Sequence, residues 1–144
     1  MLNDAQAAAV AALILFALWP LVLVVGIAGW RAALMSGGRK ITEFPAGTPH
    51  GPDPYWRLNR AHLNTVEYLP VFGAIVLGGV VAGVSAPLFG TLALAAVSAR
   101  MVQSLIHLAS GAALAVNLRF LALLVQLVCF IWLAVLVFQT LGIL

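Results

Sequence analysis

The residues best suited to chemistry in this chain form a polar stripe at the start of its second apolar segment. At about 100° per residue, the five positions share an arc of roughly 100° on one face of a helix. Charged side chains this deep in an apolar segment are costly and usually functional. Arginine forks bind carboxylates through two hydrogen bonds, and an amide and a carboxylate can bind amines, so the stripe suits a small, multiply charged ligand. Its members are Arg57, Arg60, Asn64, Glu67 and Tyr68.

A second polar stripe is predicted on the third apolar segment. Gln103, Ser104 and His107 follow Arg100 at i+3, i+4 and i+7, and therefore share its face. Arg100 lies about nine residues from the end of that segment, at a depth similar to that of Glu67. We therefore expect these two residues to form an ion pair. The two stripes, facing each other or facing across subunits, would define a polar cavity open to one end of the bundle.

The alternative is that these polar groups only hold helices together, since polar residues inside membranes often form interhelical hydrogen bonds. A single amide or a single ion pair would fit that role. The first stripe, however, holds two arginines, an amide, a carboxylate and a phenol, which is more than helix association requires. Because ionisable groups at membrane depth generally mark functional sites, we favour a binding site.

The elements that must position these residues are membrane-spanning helices. The chain has 144 residues, a mean hydropathy of +1.12 and 8% charged residues, too few charges for the exterior of a soluble domain. A hydrocarbon core of roughly 30 Å needs about 20 apolar residues in a helix, and uninterrupted apolar runs do not fit a β-barrel. We predict an all-α membrane protein whose single domain, residues 1–144, is a four-helix bundle. The predicted spans are residues 5–30, 58–84, 87–108 and 118–141.

The basic residues are concentrated at one end of the predicted bundle. This asymmetry follows the positive-inside rule, and it places both termini outside and the site facing the cytoplasm. A nucleic-acid groove is the less favoured explanation of the net charge of +3. We read the first span as a retained helix, because Asp4 rather than a basic residue precedes it, and we favour a bacterial inner membrane. The clustered cations are Arg31, Arg39, Lys40, Arg57, Arg60 and Arg119.

The predicted cytoplasmic loop, residues 35–56, is rich in residues that interrupt helices and strands. The connection between the second and third spans is short, so these two spans form an antiparallel hairpin. Cys129 is the only cysteine, which rules out an intrachain disulfide, and we predict no metal site. The interrupting residues of the loop are Gly37, Gly38, Pro45, Gly47, Pro49, Gly51, Pro52 and Pro54.

Residues 57–72, RLNRAHLNTVEYLPVF, resemble the signature of the MAPEG family, the membrane-associated proteins in eicosanoid and glutathione metabolism. The shared pattern is R-x-x-R-A-H-x-N-x-x-E-x-x-P-x-F, which is long and specific. The resemblance continues in order at Arg100 in the third span and at Arg119 at the start of the fourth. It therefore covers most of the chain, although the loop and the first span match only loosely.

The resemblance implies a four-helix subunit that forms a homotrimer in the lipid bilayer, with glutathione bound between neighbouring subunits near the cytoplasmic face. Arg119 resembles an arginine to which several members assign stabilisation of the glutathione thiolate. Gln103 and His107 stand where many members carry tyrosine, and we include both among the expected glutathione contacts. The other positions that resemble glutathione contacts are Arg31, Arg60, Asn64, Glu67, Tyr68 and Arg100.

We therefore expect a glutathione-dependent transferase or peroxidase that acts on lipophilic electrophiles or hydroperoxides. A cation stabilises a cysteine thiolate, whose thiol has a pKa of about 8.5, and so makes it a better nucleophile near neutral pH. Two alternatives stay open. One is a non-catalytic subunit or scaffold of another membrane complex. The other is a proton-coupled exporter, although Glu67 lies among arginines that would keep it ionised.

Overall fold

The computed structural model describes residues 1–45 and 48–144, and in these residues it contains helices and no strand. The long helices are α1 (Asp4–Ser36), α2 (Asp53–Ala82), α3 (Pro87–Ala109) and α4 (Ala113–Thr140), and a short 3₁₀ helix covers Ile41–Glu43. All four long helices have the length and apolar composition needed to cross a membrane. This confirms the predicted all-α class with four spans.

Two helices begin earlier than predicted. Helix α2 begins at Asp53 rather than residue 58, because Pro54 occupies its first turn, where the missing N–H needs no partner. Helix α4 begins at Ala113 rather than residue 118, after a turn in which the Ser110 hydroxyl accepts a hydrogen bond from the Ala112 N–H at 3.1 Å. The loop predicted at 35–56 is correspondingly shorter, at 37–52, and its Gly47 lies outside the described residues.

The helices pack in an antiparallel bundle around an aromatic core. Helix α1 packs against α2 and α3, and α3 packs against α4. The Phe72 ring stacks on Phe130 at a centroid distance of 5.3 Å and lies 5.0 Å from Phe16. Outward-facing residues such as Val25 and Ile131 are exposed. Exposed apolar faces of this extent require lipid or another protein rather than water.

One end of the bundle, which we name the closed end, joins α2 to α3 through a tight turn. Gly83 adopts φ +80°, a left-handed conformation that favours glycine, and the next residue, Val84, is buried. The Asn3 side chain, which also caps α1, donates a hydrogen bond to the Val84 carbonyl at 3.1 Å. Small residues bring the helices together here: a Cβ on Gly79 would overlap the Phe89 ring. The closed end is therefore fixed by backbone contacts.

The opposite end, which we name the basic end, gathers the carboxyl ends of α1 and α3 and the amino ends of α2 and α4. The Arg31 Nε donates to the Tyr55 hydroxyl at 2.7 Å and so joins α1 to α2. The Gln103 side chain donates to the Arg119 carbonyl at 3.2 Å and joins α3 to α4. The two arginines of α2, Arg57 and Arg60, also lie toward this end.

Candidate functional site

Arg100 is the most deeply buried charged side chain among the described residues. Its side chain is only 2% exposed, and it lies on the inward face of α3, about 14 Å along the helix from Ala109. The guanidinium carbon lies 4.6 Å from the ring centroid of Tyr68 on α2 and 5.9 Å from that of Phe16 on α1. The fourth helix supplies Gln126, whose Oε1 accepts a hydrogen bond from Arg100. The three other helices thus each contribute a side chain to the surroundings of this cation.

Gln126 was not identified by the sequence reasoning, although it makes the direct polar contact with Arg100. The Gln126 Oε1 accepts a hydrogen bond from an Nη atom of Arg100, and the Gln126 Nε2 donates to the Ala96 carbonyl at 3.2 Å. The residue is fully buried. A sequence signal existed, because Gln126 is the only amide or charged residue between Arg119 and Gln139 in an otherwise apolar segment.

The predicted ion pair between Glu67 and Arg100 is wrong for this chain. Within the described residues the only ion pair joins Arg39 to Glu43, at 3.3 Å in the connecting segment. Glu67 is near enough to attract Arg100 electrostatically, but no carboxylate oxygen comes within 4.0 Å. Tyr68, the next residue, takes the position against Arg100. Since successive helix residues point about 100° apart, Glu67 is directed to the exposed flank of α2.

The stripe predicted on α3 does lie on one inward face. Arg100 and Ser104 are buried, and Gln103 and His107 are half-buried. The Ser104 hydroxyl donates to the Arg100 carbonyl at 3.0 Å, so this side chain satisfies its own helix. The Gln103 Oε1 is buried and has no hydrogen-bond partner within the described part of the chain. His107 continues the polar face to the end of the helix.

Arg119 shares the inward face of α4 with Gln126, because the two residues are two helical turns apart. Together with Arg57 and Arg60, Arg119 supplies the positive charges that act on His107. The Arg57 Nε is buried without a partner in the residues that the structure describes. Arg60 is exposed and Asn64 is half-buried.

These contacts define what we name the polar column, which runs between the helices from the buried Arg100 toward the basic end. It contains far more donors and positive charge than acceptors, so it can bind an anion through several hydrogen bonds. Four predicted members lie elsewhere. Arg60, Asn64 and Glu67 are on the flank of α2. Arg31 is held by Tyr55 and lies 5.5 Å from the Phe44 ring. The column consists of Arg100, Gln126, Tyr68, Gln103, Arg119, His107 and Arg57.

A comparison with known families gives one result that covers almost the whole chain. The model of the MAPEG family matches residues 7–139 of the 144. The chain belongs to the MAPEG family. This confirms the resemblance inferred from residues 57–72, and it favours the glutathione hypotheses over the exporter. No curated protein matches the chain significantly.

The MAPEG family contains glutathione-dependent transferases and peroxidases as well as non-catalytic members. In this MAPEG chain the signature residues divide into two groups by location. Ala61 and Phe72 are buried against the other helices and serve packing. Arg60, Asn64 and Glu67 lie on the flank of α2, at the edge of its buried face. The signature therefore specifies both the position of α2 and the polar surface that it presents.

Apolar grooves on the outside of this MAPEG subunit are separate from the polar column. A groove of about 450 Å³ lies between α3 and α4, and one of about 230 Å³ lies between α2 and α4 near the closed end. Their walls carry no charged side chain. Among the described residues, no group of three His, Cys, Asp or Glu side chains could hold a metal ion.

Proposed function

We propose that this protein binds glutathione in the polar column and uses its thiolate on lipophilic electrophiles or hydroperoxides. The observation that carries the proposal is Arg100, a buried arginine whose direct polar partner is a neutral amide. A buried charge without a paired ion is costly, so a site of this kind favours an anionic ligand. Glutathione carries two carboxylates, and MAPEG enzymes use it.

Arg119 is the proposed catalytic residue. It lies nearer the basic end than Arg100 and is half-buried, so it can approach the ligand thiol without losing all contact with water. A guanidinium beside the sulfur stabilises the thiolate and increases the fraction of nucleophile near neutral pH. The other proposed glutathione contacts within the column are Tyr68, Arg100, Gln103 and His107. Those proposed at its margin, where a neighbouring subunit would pack, are Arg31, Arg60, Asn64 and Glu67.

A homotrimer is proposed because the surface of one subunit carries charge at membrane depth. Glu67 is the fifteenth of the 30 residues of α2 and is exposed, as is Arg60 two turns earlier. Facing lipid, an ionised carboxylate at mid-helix would cost about 2.5 kcal/mol or more. A neighbouring subunit that packs on this flank would supply polar partners and would complete the glutathione site between subunits.

The proposed orientation places the basic end in the cytoplasm and both termini outside, in a bacterial inner membrane. The positive-inside rule supports it, since the basic residues flank the connection between α1 and α2. Glutathione would then enter from the aqueous side. The lipophilic co-substrate would reach the thiolate from the surrounding bilayer.

The test is isothermal titration of the detergent-purified protein with glutathione, followed by turnover of a generic electrophile. We expect saturable binding and glutathione-dependent product formation. Binding without turnover would favour the alternative of a non-catalytic member, for which Gln103 and His107 in place of the usual tyrosines give a specific reason. Absence of binding would contradict the proposed function.

A further inference from the structure

The surroundings of Arg100 combine tight enclosure with an absence of direct charge pairing. Aromatic rings of α1 and α2 lie beside the guanidinium, and Gln126 accepts one of its hydrogen bonds. No carboxylate oxygen lies within 4.0 Å of it among the described residues. The Arg100 Nε is buried and has no partner in the same part of the chain. A buried donor of this kind is costly unless a ligand accepts from it.

The orientation of the Gln126 amide is fixed by two contacts. Its Nε2 must be the atom that faces the Ala96 carbonyl, because a carbonyl can only accept. Its Oε1 must be the atom that faces Arg100, because a guanidinium can only donate. The amide therefore holds the cation through a hydrogen bond without neutralising it.

From these contacts we infer that Gln126 is a positioning residue that aims the Arg100 guanidinium at an anionic group of the bound ligand while leaving its charge free. The inference rests on the proposed function, in which that ligand is glutathione. A carboxylate at position 126 would hold the guanidinium equally well, but it would form an ion pair and would repel the ligand's carboxylate. The neutral side chain is thus a determinant of anion binding and not only a packing residue.

The discriminating variant is Gln126→Glu, which preserves the shape of the side chain. Without ligand, its thermal unfolding midpoint in detergent reflects two opposing changes, because the buried cation gains a paired ion while the hydrogen bond to the Ala96 carbonyl is lost. Its affinity for glutathione should fall by at least about tenfold, equivalent to about 1.4 kcal/mol. Gln126→Leu removes the hydrogen bond and should lower both the midpoint and the affinity.

The matched control is Gln139→Glu, which introduces the same charge on an exposed position near the other end of α4 and should change neither quantity. A purely structural role for Gln126 predicts that Gln126→Glu binds glutathione as the unaltered protein does, and that result would overturn the inference. If the unaltered protein does not bind glutathione, the proposed function fails, and the ligand-free midpoint of Gln126→Leu still decides whether Gln126 holds the buried Arg100.

Discussion

The closed end and the basic end of the bundle differ in how their helices contact each other. At the closed end, small residues let backbones approach: a Cβ on Gly90 would lie 2.8 Å from the Ala8 Cβ and 2.9 Å from the Ala5 carbonyl oxygen. At the basic end, Arg57 and Gln103 retain buried polar atoms without partners in the described residues. The difference indicates that stability is concentrated at one end and binding capacity at the other.

This division has a physical reason. In apolar lipid, the hydrophobic effect provides little driving force for helices to associate, so close packing of small residues must hold them together. At the basic end, the deep Arg100 is tolerated because the packing elsewhere holds the bundle while the polar column carries unsatisfied donors. Substitutions at the two ends should therefore affect different measurements.

The largest expected effect is on binding at the base of the polar column. Arg100→Leu should weaken glutathione binding by about 100-fold, since a hydrogen bond to a charged group is worth up to about 3 kcal/mol. The unfolding midpoint should not fall, because the variant removes a buried charge that has no directly paired ion. Titration calorimetry and thermal unfolding in the same detergent measure the two quantities.

The control for this variant is Arg39→Leu, which removes an exposed arginine that pairs with Glu43. It should bind glutathione as the unaltered protein does. If Arg100→Leu and Arg39→Leu bind equally well, the basic end does not hold the ligand through its buried arginine, and the contrast between the two ends disappears.

The next largest effect is on stability at the closed end. Gly79→Ala should destabilise the fold by about 1–3 kcal/mol, because the added methyl group overlaps the Phe89 ring. Gly78→Ala is a close control, since a Cβ on Gly78 meets nothing within 4 Å. The unfolding midpoints of the two variants should differ, and the glutathione affinity of each folded variant should be unchanged. Equal midpoints would show that the hairpin is not held by this contact.

Much of this architecture could be predicted from the sequence, but the side-chain contacts between helices could not. Helical periodicity placed Arg100, Gln103, Ser104 and His107 on one face, and the structure has them there. Periodicity does not say which neighbouring helix meets that face. The partner of Arg100 was therefore assigned to Glu67, a carboxylate at similar depth, when the actual partner is an amide on α4.

The helix boundaries differ for a related reason. Apolar content located the spans, while the starts at Asp53 and Ala113 depend on turns that sequence reasoning placed inside loops. The extra turns matter for the site. They extend α2 and α4 beyond the apolar segments, and they place Glu67 at the middle of α2 rather than near one third of its length.

A smaller effect is expected for Arg119, and it should fall on turnover more than on glutathione affinity. Arg119→Ala should lower turnover by about tenfold, or about 1.4 kcal/mol of transition-state stabilisation, and should lower glutathione affinity by less. The physical reason is that the guanidinium acts on the thiolate, which is a small part of the ligand. Steady-state kinetics together with titration calorimetry separate the two. An equal loss of turnover and affinity would make Arg119 a ligand contact only.

The smallest effect concerns the hydrogen bond between Arg31 and Tyr55. Tyr55→Phe removes the acceptor of the Arg31 Nε and should weaken glutathione binding by about fivefold, since one such bond contributes about 1 kcal/mol. Titration calorimetry is sufficient to measure it. If affinity is unchanged, the Arg31 side chain lies outside the ligand site, and that site includes fewer residues than proposed.

A crystal structure of the protein with glutathione, grown from a lipidic phase, tests the central claim most directly. The account predicts a ligand carboxylate within hydrogen-bond distance, about 3 Å, of the Arg100 guanidinium, with Gln126 still bonded to Arg100. Glutathione bound only by residues outside the polar column, with Arg100 contacting nothing but Gln126, Tyr68 and Phe16, would contradict it.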